Sequence, residues 1–315
     1  MTIAVNGSIA FDTIMTFPDY FKNHILPDKV HLISVSFLLD SLQRRRGGCG
    51  GNISYNLTLL GQRPILFGSA GNDFREYREW LEAAGVDTSA VVTFDDEVCA
   101  TGFVTTDLAD NQIWAYYPGT MLRTDELSVH KLAGPLEAVV IAPNDATAMV
   151  RFAAECRELG YRYVFDPGQA LTNLSGDDLV SAIGGAMLVV GNDYEFEMIR
   201  SKTGMAASDL LELTPLVVVT LGEKGARLIT ADEEVSLPAV VPDPLVDPTG
   251  AGDAYRAGLV VGLLKGFDLL TTGQIAGLMG TYAVEHKGTQ EHSFNLEQFA
   301  ARYQKAWGSK LPALS

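Results

Sequence analysis

Cysteine is scarce. Only Cys49, Cys99 and Cys156 occur, far apart and without a CxxC pair. An odd count at such spacing excludes a disulfide framework and a cysteine-based zinc site, and it fits a reducing cytoplasm. Long apolar runs are missing as well. The longest, Ala257 to Leu264, stops at Lys265, far short of the roughly 20 residues of a membrane helix. Met1-Thr2-Ile3-Ala4-Val5 lacks a basic start and runs directly into Asn6 and Gly7, so no signal peptide is expected. Positive charge is in deficit: 23 Lys and Arg face 39 Asp and Glu, for a net charge of −16. That excludes nucleic-acid binding through a general basic field. Any anionic ligand would have to be held locally, by backbone amides, helix N-termini or a cation. Neither repeats nor low-complexity stretches occur.

What is present is globular. Hydrophobic residues make up 47% and charged residues 20% of 315, a length suited to one large α/β domain with an appendage. Short apolar runs alternate with helical patterns in the second half. Glu137–Ala142 reads as a strand. Ala146–Gly160 reads as a helix with Met149, Phe152, Ala153, Cys156 and Leu159 on one face. Tyr161–Phe165, Leu188–Gly191 and Leu216–Val219 read as further strands, with a helix from Asp193. This order predicts a mostly parallel sheet covered by helices on both faces. Two segments break the pattern. Ile33–Leu39 reads as a strand, and residues 98–118 read as a hairpin with its turn at Asp107–Asn111. Both look like antiparallel ribbon. The expected division is an α/β core of residues 1–10, 49–93 and 123–315, with a β-rich lid of residues 11–48 and 94–122.

Polar residues follow several strands: Asp166, Asn192, then Thr220 and Gly222. Open α/β sheets bind ligands at these carboxyl ends, although polar residues and glycine end strands everywhere. The most specific segment is Asp247-Pro248-Thr249-Gly250-Ala251-Gly252-Asp253, leading into a helical run. Glycine allows close backbone approach, and unpaired amides at a helix start attract anions. Taken alone, Asp253 could equally be an N-cap. Gly48-Cys49-Gly50-Gly51-Asn52-Ile53 fails as a dinucleotide loop because Ile53 stands where a third glycine is required, and no Gly-x-x-x-x-Gly-Lys-Ser/Thr run exists.

The Asp247–Asp253 segment resembles the C-terminal signature of the ribokinase (PfkB) family of sugar and nucleoside kinases. The N-terminal signature, Gly47-Gly48-Cys49-Gly50-Gly51-Asn52 with Leu57, Leu60 and Gly61, is similar too. So are Asn192-Asp193-Tyr194-Glu195 and Thr220-Leu221-Gly222-Glu223-Lys224-Gly225. The elements keep the family's order over nearly the whole chain. Gly7-Ser8-Ile9-Ala10, Asp12, Ser36-Phe37-Leu38, Tyr117-Pro118-Gly119 and Gly288-Thr289-Gln290-Glu291 resemble its bacterial, actinobacterial-type adenosine kinases.

The resemblance implies a ribokinase-like α/β/α core with a mostly parallel sheet and a small β-sheet lid. It implies ATP-dependent phosphorylation of the 5′-hydroxyl of adenosine to AMP, a purine-salvage reaction. Asp253 would be the catalytic base, beside an anion hole of the Gly250, Ala251 and Gly252 amides. Asp12, whose two carboxylate oxygens could accept both hydroxyls of a cis-diol, would hold the ribose with Gly48 and Asn52. Ser8 and Ser36 would line the pocket, Gln169 is a further candidate, and Phe103 and Tyr116 would cover the base. Asn192, Thr220, Gly222 and Gly225 would bind ATP. Glu195 would act on Mg²⁺ through water, and the Asp247 loop would hold a monovalent cation such as K⁺. Arg256, one turn past Asp253, receives no role, and the Arg44-Arg45-Arg46 run reads as a solvated strand end. Expected partners are small molecules, with neither nucleic acid nor membrane, and a homodimer through the lid. Two alternatives keep the chemistry: a ribokinase-like sugar kinase and a broader purine nucleoside kinase. A third is a non-catalytic nucleoside-binding relative. The aromatic residues Phe103, Trp114 and Tyr116 favour a flat base over a bare sugar.

Overall fold

A computed structural model describes residues 2–314, with Lys29 described by its backbone alone. The first part of the chain runs through β1 (Ile3–Asn6), β2 (Ala10–Thr16), β3 (Ser41–Gly47), α1 (Cys49–Leu59), β4 (Ile65–Gly71), α2 (Arg75–Ala84), β5 (Val91–Phe94), β6 (Ala100–Thr106) and β7 (Gln112–Tyr117). It continues through β8 (Ala138–Ile141), α3 (Ala146–Leu159), β9 (Tyr163–Phe165), α4 (Gly176–Ile183), β10 (Leu188–Asn192), α5 (Asp193–Thr203), β11 (Val217–Thr220), β12 (Ala226–Ile229) and β13 (Glu234–Leu237). Three helices close it: α6 (Ala251–Leu264), α7 (Leu269–Val284) and α8 (Leu296–Trp307).

Nine strands form one sheet in the order β13-β12-β11-β10-β9-β8-β1-β4-β5. Pairing is parallel from β5 to β11 and antiparallel only at the β11-β12-β13 edge. Val/Ile/Leu-rich strands buried on both faces require helices on both sides. One apolar layer joins α1, α6, α7 and α8 to the sheet; the other joins α3, α4 and α5. The fold is the predicted ribokinase-like α/β architecture. Local signals set the helices. In α3, Asp145 accepts the Ala148 amide (2.8 Å) and Gly160 ends the helix at φ +70°. Its predicted apolar face is buried at Met149, Phe152, Ala153 and Cys156, whereas Leu159 is 37% exposed.

The second sheet has four strands in the order β3-β2-β6-β7. The sequence suggested antiparallel ribbon, but its central pair, β2 with β6, is parallel. Between those strands the chain crosses to the large sheet through α1, β4, α2 and β5, then returns in the same direction. The predicted strand at Ile33–Leu39 is irregular; the strand is Ser41–Gly47 instead. The segment does not pair with β2, both of whose sides are taken by β3 and β6. Phe37 pins the irregular segment, its ring 4.7 Å from that of Phe17 and 5.2 Å from that of Phe21. The arginine run is only in part the expected solvated strand end: Arg44 is exposed, Arg45 and Arg46 are half-buried. Arg44 lies over the Phe11 ring (3.6 Å) and Arg46 over the Trp80 ring (4.3 Å), where cation–π attraction holds them. Arg45, between them, points to the opposite face.

Candidate active site

Arg45, Asp12, Gly102 and Tyr116 lie in register across β3, β2, β6 and β7. Residues directly opposite in a sheet share a face, so one side of the small sheet presents a cation, a carboxylate and a phenol in a row. Glycines make room for the carboxylate. A Cβ at Gly102 would lie 2.8 Å from Asp12 Oδ1, and one at Gly47 would lie 2.8 Å from Asp12 Oδ2. Burial raises the Asp12 carboxyl above its ordinary range; Arg45 opposes the rise and Asp247 adds to it. Burial raises the Tyr116 hydroxyl, and both Cys49 and Asp12 lie close enough to act on it, so this face of the sheet looks toward the start of α1.

Phe103 does not share that face. It pairs with Thr13 and Ala115, one residue out of the Asp12 row, and the two-residue period of a strand turns it to the other side. The companion of Tyr116 is Trp114, two residues away, whose ring would lie 3.3 Å from a Cβ at Gly102.

The start of α6 faces α1. Gly250 is the N-cap in the left-handed region (φ +83°), and Asp253 sits in the first turn. A Cβ at Gly250 would come within 3.0 Å of the Thr289 side chain, and one at Gly252 within 2.6 Å of Arg256 Nη1. The Ala251 amide makes only a long bond to the Pro248 carbonyl (3.4 Å). First-turn amides have no intrahelical acceptor, so the turn presents donors beside Asp253. Asn52 Nδ2 donates to Asp253 Oδ2 (2.8 Å). Burial raises the Asp253 carboxyl, while Arg256 and hydrogen bonds from Asn52 and Cys49 restrain it. Ser8 accepts the Cys49 amide on its hydroxyl (3.1 Å) and the Gly50 amide on its carbonyl (3.0 Å). Gly48, at φ +87°, packs so closely on Ser8 that a Cβ would fall 2.3 Å from its carbonyl oxygen. Asp247 ties its loop together, accepting the Thr249 and Gly288 amides (both 3.0 Å).

The nucleotide-side candidates cluster at strand ends. Asn192 and Thr220 are register partners at the carboxyl ends of β10 and β11. Asn192 and Glu195 cap α5 reciprocally, each side chain accepting the other's amide at 2.8 Å. Gly222 (φ +58°) and Gly225 (φ +95°) shape the loop after β11, and at Gly225 a Cβ would strike the Leu237 carbonyl. Among the described residues no group of three or more His, Cys, Asp or Glu could hold a metal alone. Mg²⁺ arriving with nucleotide phosphates and water needs no such cage.

The predicted residues Ser36 and Gln169 are exposed, Ser36 on the irregular segment and Gln169 in the turn after Gly168. Other residues were missed. Arg256 is buried and ion-paired to Asp166, Nη2 to Oδ1 at 2.8 Å, with Glu195 Oε2 at 4.0 Å. Burial pushes the Asp166 carboxyl up to about 6 against the pull of Arg256, and the surrounding carboxylates keep Arg256 charged. The sequence offered a signal: a polar residue after a strand and an arginine one turn past Asp253. The 288–290 turn, quoted in the resemblance but given no role, backs Gly250 through Thr289 and reaches Asn52 through Gln290.

Comparison with known proteins places this arrangement. A family model described as pfkB family carbohydrate kinase matches residues 25–295. The nucleoside kinase of Methanothermobacter thermautotrophicus is 33% identical over 310 residues, covering 97% of this chain and 96% of that protein. The structure of Burkholderia thailandensis nucleoside kinase in complex with inosine matches with a TM-score of 0.87 at 34% identity, covering 98% of this chain and 99% of that one. The nucleoside kinase of Methanocaldococcus jannaschii, an archaeal member of the ribokinase family, matches with a TM-score of 0.88 at 27% identity, covering 96% and 98%. These relatives are nucleoside kinases, a broader class than the adenosine kinases that the motifs resemble.

Proposed function

The chain belongs to the pfkB family of carbohydrate kinases, and we propose that it transfers the γ-phosphoryl of ATP to the 5′-hydroxyl of a purine nucleoside, adenosine foremost. The observation that carries this is the partly buried Asp253, fixed by Asn52 at the start of α6, with Cys49 at the start of α1 close both to it and to Tyr116 of the Arg45–Asp12–Gly102–Tyr116 row. Asp253 accepts the hydroxyl proton. A carboxylate is a weak base, which suffices when the proton leaves late in a loose phosphoryl transition state. First-turn amides of α6 stabilise charge on the phosphoryl group, each donor worth roughly 3 kcal/mol. Asp12 accepts from the ribose diol, and Trp114 with Tyr116 covers the base.

Asn192, Thr220 and the Gly222–Gly225 loop hold the nucleotide. Mg²⁺, when bound, neutralises phosphate charge; the cap leaves Glu195 beside Arg256 and able to orient its waters. The Asp247 loop would hold K⁺. Residues 11–48 and 94–122 act as the lid, and a homodimer through the lid belongs to the same proposal.

The test is ATP consumption with adenosine, inosine, guanosine, ribose and fructose. Adenosine preferred over both sugars supports the proposal, and turnover confined to sugars rejects it. A second reading, a broad purine nucleoside kinase, is favoured by the Burkholderia thailandensis complexes with inosine and with ADP-inosine; comparable rates on adenosine, inosine and guanosine would select it.

A further inference from the structure

A line of buried polar groups reaches Asp253 from behind. Tyr77 donates its hydroxyl proton to the Gly47 carbonyl (3.0 Å). Gln290 Nε2 donates to the Tyr77 hydroxyl oxygen and to Asn52 Oδ1 (2.7 Å). Asn52 Nδ2 then donates to Asp253 Oδ2 (2.8 Å). Tyr77 and Gln290 are each 1% exposed and Asn52 is 4% exposed, so water does not compete for these bonds.

The far end of the line fixes its direction. A peptide carbonyl can only accept, so the Tyr77 proton is committed to Gly47 and the phenol oxygen must accept in turn. Gln290 therefore presents its NH₂ group inward, and Asn52 must answer with its carbonyl. The Asn52 NH₂ group is left facing Asp253. Gly51 keeps the line open: a Cβ there would lie 2.0 Å from the Tyr77 hydroxyl and 3.3 Å from Gln290 Nε2.

We propose that Tyr77 and Gln290 are positioning residues that lock the Asn52 amide in one orientation, so that Asp253 meets the acceptor hydroxyl with one carboxylate oxygen already held and unprotonated. This rests on Asp253 as the base. The charged and titratable groups facing Asp253 are Arg256 on its own helix, Glu195 on α5, Asp166 after β9 and Cys49 on α1. Neither Tyr77 nor Gln290 adds charge to this set; the line acts only through the direction of its hydrogen bonds.

The test is the pH dependence of kcat for Gln290→Glu and Tyr77→Phe, with Asp253→Asn as reference. A carboxylate at position 290 must accept, which turns Asn52 over and aims its carbonyl at Asp253. Asp253 then needs a proton to answer it. The acid limb of the kcat profile should move up by about one pH unit or more, and kcat at pH 7 should fall about ten- to a hundredfold, the scale of a lost hydrogen bond to a charged group. KM for ATP should stay within about twofold, because the line does not touch the nucleotide side. Tyr77→Phe removes one oxygen and unlocks the direction without reversing it, so a smaller shift of the same sign is expected. Wild-type kcat and acid limb in a folded Gln290→Glu overturn the proposal. If thermal melting shows that Gln290→Glu does not fold, an unshifted Tyr77→Phe profile overturns it alone. Near-full turnover in Asp253→Asn would instead remove the base assignment. An inactive Asp253→Asn beside unshifted Gln290→Glu and Tyr77→Phe removes only the positioning line.

Discussion

Replacing Arg256 by Met should weaken the fold in a pH-dependent way. The guanidinium is bonded to Asp166, lies 4.0 Å from Glu195 and also acts on Asp253. Arg256 is 8% and Asp166 1% exposed, so one buried cation answers three carboxylates. Two unit charges 4 Å apart interact by about 4 kcal/mol at an effective dielectric constant of about 20. Desolvation offsets part of that gain, but removing one partner strands the other, and breaking such a pair costs about 3–5 kcal/mol. That is a large share of the roughly 5–15 kcal/mol by which domains are stable.

The sign with pH follows from burial. Asp166 and Asp253 already have raised carboxyl values in the folded protein. Such a group holds its proton more tightly folded than unfolded. Its cost is absent below the unfolded value near 4 and complete above the folded value, about 6 for Asp166. Without Arg256 both groups rise further, so the loss should be about 3–5 kcal/mol at pH 8 and smaller by at least about 1 kcal/mol at pH 5. Guanidinium chloride unfolding followed by tryptophan fluorescence measures it. Adding Asp166→Asn to Arg256→Met should restore part of the loss. A difference below about 1 kcal/mol, or one equal at both pH values, refutes the account of a cation balancing buried acids.

Asp253→Asn should lower kcat by about 10²- to 10⁴-fold, the range for a lost general base. It should also raise the melting temperature at pH 7, since a carboxylate whose value is raised in the folded state opposes folding there; unchanged kcat in a steady-state assay contradicts the first part. Gly250→Ala forces a side chain into the left-handed region against Thr289 and should cost about 1–2 kcal/mol by chemical denaturation, while slowing turnover. Trp114→Ala should raise KM for the nucleoside about tenfold, in line with one lost stacking contact, and Phe103→Ala should change it less than twofold. Equal effects in the two variants would show that the faces of the small sheet are not distinct in function.

The strands β8 to β11 of the large sheet were legible because parallel strands buried on both sides must be apolar runs, and the capped helices between them carry local signals. Asp145 and Gly160 bracket α3 without help from distant residues. The antiparallel strands β12 and β13 went unread because such short strands lack these runs, and β1, β4 and β5 in the first half of the chain went unread as well. The small sheet was harder. Ile33–Leu39 has strand-like residues but is held irregular by Phe37 against Phe17 and Phe21, and the strand that does pair contains three consecutive arginines, stabilised by Phe11, Trp80 and distant acids. Phe103 and Tyr116 were grouped by the resemblance, whereas the register of β6 against β7 decides which face each takes. The partners of Gln290 and Arg256 could not be named because their contacts lie 238 and 90 residues away in sequence.

The parallel pairing of β2 with β6 also orders events during folding. Ala10 lies against Ala100, so the two strands cannot zip from a turn, and the chain between them must be laid down before they meet. The row that would grip the acceptor is thus a late product of long-range closure. The strand ends at Asn192 and Thr220, by contrast, come from neighbouring βα units. A chain caught partway through refolding should therefore gain nucleotide affinity before acceptor affinity. Interrupted refolding with fluorescent ATP and nucleoside analogues would reveal that order, and simultaneous recovery of both would contradict it.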